Sequence, residues 1–230
     1  MIKRKIANLA ARLLQAAISR IGSDVDLARL LSATFSSAEL VDRDMQNARS
    51  CSSRIEVMNA AFSFSDAKGF ICELGVYKGQ SLNEIAKMNP NKTIYGFDTF
   101  KGLPEFWRDG FPQGAFDVAG ENLVLEKNCK IYKGLFQDTL PKFMVELDEK
   151  ASLIHVDCDL YSSTISALNI LAPRIQKGTI IVFDEYFNYP GWQQHEYKAF
   201  NEFLEKNGLS CRYIAYNRRG QQVAIEIKGL

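Results

Sequence analysis

The sequence lacks the features that mark several whole classes of protein. Its 230 residues include 28 basic and 27 acidic side chains, which leaves a net charge of +1 without a long basic run. A dedicated nucleic-acid binder, whose affinity comes mainly from neutralising phosphates, is therefore not expected. No stretch approaches the roughly 18 uninterrupted apolar residues of a membrane span. The composition also excludes collagen, a coiled coil and extensive disorder.

Cysteine pairs are missing as well. The five cysteines are odd in number and widely scattered, and no CxxC pair occurs among them. A structural zinc site is therefore not expected. Scattered thiols indicate a reducing compartment, so we expect a cytoplasmic protein.

The first 22 residues predict an amphipathic helix. Apolar residues recur at helical spacing from Ile2 to Ile21, and the polar face is basic, with no acid before Asp24. This pattern favours a docking or dimerisation helix, and we expect a homo-oligomer, most simply a dimer. A helix lying on a membrane surface and a cleaved transit peptide remain open as alternatives. A second helical region is expected over 24–64.

From residue 69 onward, short apolar runs alternate with helical patterns. This alternation predicts an α/β fold with a doubly wound, Rossmann-like sheet of seven mostly parallel strands. Only residues 217–220 join the last two strands, so the last strand should be antiparallel. We therefore divide the chain into an N-terminal helical extension, 1–65, and an α/β domain, 66–230. The expected strands are 70–74, 92–97, 129–133, 152–156, 178–183, 211–216 and 221–227.

A glycine-rich turn and an acid follow the first two of these strands. Glu73 is followed by Gly75, Gly79 and Ser81, and such a turn lets the backbone and a helix N-terminus approach a ligand. Asp98 lies 25 residues beyond Glu73 at the end of the next strand. An acid at this place commonly accepts hydrogen bonds from ribose hydroxyls. Together the two features predict a nucleoside-containing cofactor, with a plain strand-to-helix turn as the alternative reading of the glycines.

Asp138 follows the third predicted strand. Its side chain could cap a helix that starts near Leu140. It could equally accept a hydrogen bond from the adenine amino group of the cofactor. Both roles remain open.

Acids also follow the fourth and fifth predicted strands. Asp157 and Asp159 follow the fourth, and Asp184 and Glu185 follow the fifth. Because these two strands should be neighbours, the four carboxylates should converge, and they would repel each other without a cation. Oxygen ligands suit Mg²⁺ or another hard divalent ion. The sequence therefore predicts a divalent-metal site.

Five ordered motifs carry a family resemblance. ELGVYKGQS, YGFDTFKGLPE, HVDCDLYSST, IVFDEY and GWQQHEYKAFNEF resemble the motifs of the macrocin (TylF-like) O-methyltransferases. That family belongs to the class I S-adenosylmethionine-dependent methyltransferases and is related to catechol O-methyltransferase. The resemblance covers roughly residue 54 to the C-terminus. It implies that 66–230 form a methyltransferase domain with S-adenosyl-L-methionine as the cofactor.

The resemblance also assigns roles to residues. The glycine-rich turn matches the positions that wrap the methionine part of the cofactor, and Asp98 matches the ribose-binding acid. Asp157, Asp184 and Glu185 match the metal-binding acids, and Asp157 also borders the cofactor. The cofactor-binding set implied in this way is Glu73, Gly75, Tyr77, Gly79, Ser81, Asp98, Thr99, Phe100, Asp138 and Asp157.

One position departs from the catechol enzymes. They have a catalytic lysine three residues after the first metal-binding acid, where this chain has Leu160. A small aromatic diol is therefore not the expected acceptor. The macrocin-type relatives methylate sugar hydroxyls, so the resemblance favours a small molecule or glycan with vicinal hydroxyls. Candidate catalytic residues are Asp157, Asp159 and His195, the last two as general bases, whereas His155 should be a packed residue inside a strand.

The segment 101–120 is rich in glycine, proline and aromatic residues, which is typical of a lid over a ligand. Trp107 and Phe111 would cover the site, and Trp192 could stack on a sugar or on adenine. Two other functions remain open. Asp157-Cys-Asp159 could be the DxD motif of a metal-dependent glycosyltransferase, or the chain could be a non-catalytic scaffold that acts through its N-terminal helices.

Overall fold

The computed structural model describes residues 2–65, 68–118 and 122–229. Two helices come first, α1 (Ile2–Ser23) and α2 (Val25–Asp44). Asp24 separates them and caps α2, because its carboxylate accepts a hydrogen bond from the N–H of Leu27. The second predicted helical region is interrupted: a short strand, β1 (Arg49–Cys51), and a separate helix, α3 (Arg54–Phe64), follow α2.

The remaining elements alternate as the sequence predicts. Each predicted strand is present, and helices lie between most of them. In chain order they are β2 (Phe70–Leu74), α4 (Gln80–Met88), β3 (Ile94–Asp98), β4 (Cys129–Lys133), α5 (Phe136–Glu146), β5 (Ala151–Val156), α6 (Tyr161–Leu171), β6 (Ile180–Phe183), α7 (Glu196–Asn207), β7 (Ser210–Asn217) and β8 (Val223–Gly229).

The strands form one sheet in the order β1-β7-β8-β6-β5-β2-β3-β4. β8 runs antiparallel to β6 and β7, and the other pairings are parallel. The predicted doubly wound α/β sheet with an antiparallel last strand is confirmed. β1 adds a strand beside β7 that the sequence did not reveal, because three residues carry no visible alternation.

β1 and α3 lie before the predicted boundary at residue 65, yet β1 extends the sheet and α3 contacts β7 and β8. Residues 66 and 67, where the second part should begin, lie outside the described residues. The division of the chain into 1–65 and 66–230 stays a prediction.

Helices cover both faces of the sheet and create two apolar layers. One layer contains Phe97, Phe143 and Phe183, and the other contains Leu82 and Val57. Burying each such side chain contributes about 1.5–3 kcal/mol. Because a shift of one residue would turn every apolar side chain of a strand to the wrong face, this burial fixes the strand register.

The register brings three strand ends to one level. Leu74 of β2 pairs with Val156 of β5, which pairs with Phe183 of β6. The next residues along the chain, Asp157 and Asp184 among them, therefore leave the sheet side by side. This edge is where the functional site lies.

Among the described residues, no helix is both long enough and apolar enough to cross a membrane.

Candidate active site

A cavity of about 600 Å³ opens at the carboxyl ends of β2, β3 and β5. It brings together most of the residues that the sequence singles out. Eight of them line it: Gly75, Tyr77, Ser81, Asp98, Thr99, Asp157, Asp159 and Glu185. The lining does not include Glu73, Gly79, Phe100, Asp138, Asp184 or His195.

The glycines of the first turn are required by close contacts. Gly75 has φ +91°, and a Cβ there would lie 1.8 Å from the carbonyl oxygen of Asp157. Gly79 has φ +78°, and its Cβ would lie 2.4 Å from Leu125. The turn therefore passes tightly over the end of β5, and it leads directly into α4, whose first-turn residue Ser81 lines the cavity.

Asp98 holds this turn in place. Its Oδ2 accepts hydrogen bonds from the N–H groups of Val76 (2.7 Å) and Tyr77 (2.8 Å), and its Oδ1 accepts one from Phe100 (2.7 Å). A carboxylate has about four acceptor sites, so one remains for a ligand. Phe100 has φ +56°, and its side chain is buried in the same apolar cluster as Val76 of the turn.

Three carboxylates form a cluster at the other side of the cavity. Asp157, Asp184 and Glu185 each offer an oxygen, and these oxygens all lie within 4.8 Å of one another. Oδ1 of Asp184 and Oε2 of Glu185 are buried and have no hydrogen-bond partner among the described residues. Burial, and then the neighbouring carboxylates, raise the pKa of Asp157 and Glu185 well above their ordinary values. Unpartnered oxygens in an acidic cluster fit a hard divalent cation.

A buried ion pair lies behind this cluster. Oε1 of Glu73 lies 2.7 Å from Nδ1 of His155, and Nε2 of the same imidazole lies 3.7 Å from Oδ1 of Asp184. Burial lowers the pKa of His155, but the neighbouring carboxylates of Asp184 and Glu73 outweigh this and raise the pKa to about 10. The resulting imidazolium helps to keep the Asp184 carboxylate ionised, since it lowers the pKa of Asp184 against the effect of burial.

Glu73 is therefore placed differently from the prediction. It is fully buried and bonds to His155 instead of lining the cavity. His155 is buried, as expected, but it is an ion-pair partner as well as a packed residue. The sequence did not reveal this pair, because the two residues face each other only through the pairing of β2 with β5, which are not consecutive strands.

The two candidate general bases lie in different surroundings. Asp159 lines the cavity, has φ +62° and is only 7% exposed. Burial raises the pKa of Asp159 to about 7 although Arg108 opposes the shift. His195 packs against the rings of Trp107 and Tyr189 and does not line the cavity. Burial and the charge of Arg108 lower the pKa of His195.

Two predicted ligand contacts lie elsewhere. Helix α5 begins at Phe136, four residues before the predicted start, so Asp138 is an exposed residue of its first turn and neither caps it nor lines the cavity. Trp192 is 3% exposed and donates from Nε1 to Oγ of Ser36 (3.1 Å), so it packs under α2.

The segment 101–118 forms the near wall of the cavity. Leu103, Glu105 and Phe116 line it, and the segment folds back on itself through the hydrogen bond from Leu103 N–H to Ala115 C=O (2.8 Å). Trp107 and Phe111 pack on each other, outside the cavity lining. Residues 119 and 120 of the predicted lid lie outside the described residues.

Two contacts hold this segment in place. Oγ of Ser162 on α6 donates to Oε1 of Glu105 (2.6 Å). The guanidinium of Arg108 lies 3.9 Å from the centre of the Trp107 ring and 4.5 Å from that of Tyr189. The segment is thus attached both to α6 and to the loop after β6.

Sequence reasoning missed Arg54, which begins α3 and lines the cavity. Its Nη2 lies 2.9 Å from Oε2 of Glu84. Burial lowers the pKa of the guanidinium, but Asp184, Glu84 and Asp157 together raise it. No motif marks this arginine, because its position depends on β1, which the sequence did not reveal.

Comparison with known proteins gives a family and named relatives. The model of the family "Macrocin-O-methyltransferase (TylF)" matches residues 113–213. Demethyldecarbamoylnovobiocin O-methyltransferase of Streptomyces niveus is 23% identical over 179 residues, which cover 68% of this chain and 66% of the relative. Mycinamicin III 3''-O-methyltransferase of Micromonospora griseorubida is 23% identical over 177 residues, which cover 66% of each protein. The chain thus spans about two thirds of the length of these curated relatives.

The fold has known counterparts as well. The crystal structure of CalS11, a calicheamicin methyltransferase, superimposes with a TM-score of 0.58 at 24% identity and covers 86% of this chain and 90% of that one. At this identity the likeness shows the fold alone. Residues 113–213 are thus similar to the macrocin O-methyltransferase (TylF) family, and the relatives that match about two thirds of the chain are named O-methyltransferases.

Proposed function

We propose that the chain is an S-adenosylmethionine-dependent and divalent-metal-dependent O-methyltransferase that acts on a hydroxyl of a sugar, glycan or sugar-containing natural product. One observation carries the proposal: Asp98, the glycine-rich turn and the acidic cluster converge on a single cavity. The names of the two curated relatives support the acceptor class, because both are O-methyltransferases of natural products.

The cofactor seat is the side of the cavity formed by the first turn and β3. Gly75 lets the backbone approach the ligand, and the first turn of α4 offers unpaired N–H groups. The remaining acceptor site of Asp98 would receive a ribose hydroxyl. When bound, S-adenosylmethionine supplies an electrophilic methyl group.

The metal seat is the acidic cluster, Asp157, Asp184 and Glu185. Its oxygen-only ligands suit Mg²⁺, and the buried Oε2 of Glu185, which has no hydrogen-bond partner among the described residues, supports a cation there. When bound, the ion lowers the pKa of a hydroxyl that it contacts. His155 positions Asp184, and Glu73 positions His155.

Asp159 is the general base in this proposal. It faces the cavity two residues after Asp157, whereas His195 is enclosed by aromatic rings. Asp159 would take the proton from the acceptor hydroxyl, and Asp157 would hold a bound metal next to that hydroxyl. The segment 101–118 keeps water away from the transfer.

The proposal is tested by methyl transfer from isotope-labelled S-adenosylmethionine to three acceptor types: a nucleotide sugar, a glycosylated macrolide and catechol. We expect label in a sugar-bearing acceptor, loss of transfer in EDTA and recovery with Mg²⁺. Asp159→Asn should lower kcat while S-adenosylhomocysteine still binds. Transfer that persists in EDTA would contradict the metal seat, and transfer to catechol alone would contradict the acceptor class.

A further inference from the structure

The large apolar side chains that the structure describes on helix α1 are exposed. Leu9, Leu13 and Leu14 are 60%, 63% and 63% exposed, and Ile18 is 61% exposed. Every side chain described from Arg12 to Arg20 is exposed. In proteins most of the stability of an amphipathic helix such as α1 comes from packing of its apolar face. The face therefore calls for a partner.

Helix α2 carries a second apolar strip, of which one end is half-buried and the other end is exposed. Its inner side buries Ala33, Ser37 and Leu40 against the body of the protein. On a different side, apolar residues recur at i, i+4, i+8 and i+11, and Phe35 in this strip is 66% exposed. The strip consists of Leu27, Leu31, Phe35 and Ala38.

The two helices carry opposite charges beside these strips. Residues 1–23 contain five basic residues and no acid, which leaves 23 basic and 27 acidic residues in the rest of the chain, a net charge of −4. Glu39 and Asp42 lie exposed beside the α2 strip. On α1, Arg12 and Arg20 lie near the face formed by Leu9 and Leu13. Both strips are apolar, and the charges beside them are opposite in sign.

The two strips of one chain do not reach each other. Only Asp24 lies between α1 and α2, and two antiparallel helices need a connection of about 2–5 residues to pack side by side. We propose that α1 of one copy packs its apolar face on the α2 strip of a second copy, and the reverse, in a symmetric dimer. In such a dimer each of the four strips is covered once, and no strip remains free to bind a third copy.

The chemistry of α1 also suits an anionic lipid surface. Two observations favour the second copy. A lipid surface would leave the α2 strip uncovered, and it would repel the remainder of the chain, which carries a net charge of −4.

Sedimentation equilibrium of the full chain gives the first test. We expect a dimer of the 26.0 kDa chain. Leu9→Ser combined with Leu13→Ser should raise the dimer dissociation constant by at least roughly tenfold, because each copy loses two apolar anchors. Val145→Ser on α5 removes an apolar side chain that is 88% exposed and should leave the constant unchanged. Circular dichroism checks that each variant is folded.

A charge exchange gives the second test. Arg12→Glu with Arg20→Glu should weaken the dimer, and adding Glu39→Lys with Asp42→Lys in the same chain should restore it. A monomeric wild-type chain at about 100 μM would overturn the proposal, as would a dimer that the Leu9 and Leu13 changes leave intact or a failure of the rescue. A monomer that co-sediments with phosphatidylserine vesicles but not with phosphatidylcholine vesicles would replace the proposed partner with a lipid surface.

Discussion

At the scale of single residues, the site depends on a few close contacts to the backbone, which particular residues make possible. Gly75 passes so close to Asp157 that a Cβ would overlap its carbonyl oxygen. Asp98 binds three backbone N–H groups around the same turn. The cofactor seat is therefore formed mainly by main chain, and side chains hold that main chain in position.

Gly75→Ala tests the close approach at this turn. Gly178→Ala is the matched control, because Gly178 has a similar φ of +89° but nothing within 4 Å of its Cβ position. The control should cost about 1–2 kcal/mol of unfolding free energy, the cost of a left-handed conformation. Gly75→Ala should cost more and abolish S-adenosylhomocysteine binding. Urea unfolding and calorimetry measure both, and equal effects of the two substitutions would contradict the close contact.

Glu185→Gln tests the metal seat. In EDTA the variant should be at least as stable as the wild type, because it removes one of several repelling buried carboxylates. Mg²⁺ at about 100 times its dissociation constant should stabilise the wild type by about 2.7 kcal/mol and leave the variant unchanged.

Glu105→Gln is the control for the metal seat, since Glu105 lines the cavity outside the acidic cluster. It should retain the Mg²⁺ effect in thermal unfolding. An equal Mg²⁺ effect in Glu185→Gln would rule out the acidic cluster as the binding site.

At the scale of elements, the segment 101–118 decides how closed the cavity is. It is attached through Glu105 to α6 and through Arg108 to Trp107 and Tyr189. A cation held between aromatic rings contributes about 2 kcal/mol when it is desolvated. Arg108 therefore helps to hold the segment 101–118 against the loop after β6.

Arg108→Met keeps the length of the side chain and removes its charge. We expect amide hydrogens of the segment, including that of Leu103, to exchange at least roughly tenfold faster. Losing about 1.4 kcal/mol of the cation–π stabilisation would raise the population of the open segment by that factor. Lys101→Met, at the exposed start of the same segment, should change exchange little. Equal protection in wild type and Arg108→Met would show that Arg108 does not fasten the wall.

The same scale shows what the sequence could and could not predict. The long apolar strands were predictable because β5 and β6 are buried on both faces and read as continuous apolar runs. β1 was not, since three residues give no period, and Arg54 was missed with it. The start of α5 lies four residues before the predicted one, so Asp138, proposed as a helix cap or an adenine acceptor, is an exposed residue of the first turn. Pairings across the sheet, such as Glu73 with His155, require the strand order, which a single sequence does not state.

At the scale of the whole molecule, charge is divided between two regions. The basic residues of α1 are set against a body with a net charge of −4, while the acids of the cavity are enclosed at the strand ends. The proposed dimer depends on the basic residues of α1, and the proposed catalysis depends on the acids of the cavity. Because none of the α1 residues whose side chains are described lines the cavity, loss of the dimer should leave cofactor binding intact. Calorimetry with S-adenosylhomocysteine on the Leu9→Ser, Leu13→Ser chain checks this expectation, and a lost affinity would contradict it.

The most direct test of the cofactor site is a calorimetric titration with S-adenosylhomocysteine, with UDP-glucose and GDP-mannose as controls. The wild type should bind S-adenosylhomocysteine and neither nucleotide sugar in the absence of Mg²⁺. Asp98→Asn should weaken binding roughly tenfold to a hundredfold, since it removes charge-assisted hydrogen bonds, and Asp138→Asn should leave binding unchanged because Asp138 lies outside the cavity. No binding to the wild type would contradict the methyltransferase assignment, and binding of a nucleotide sugar in its place would favour a glycosyltransferase.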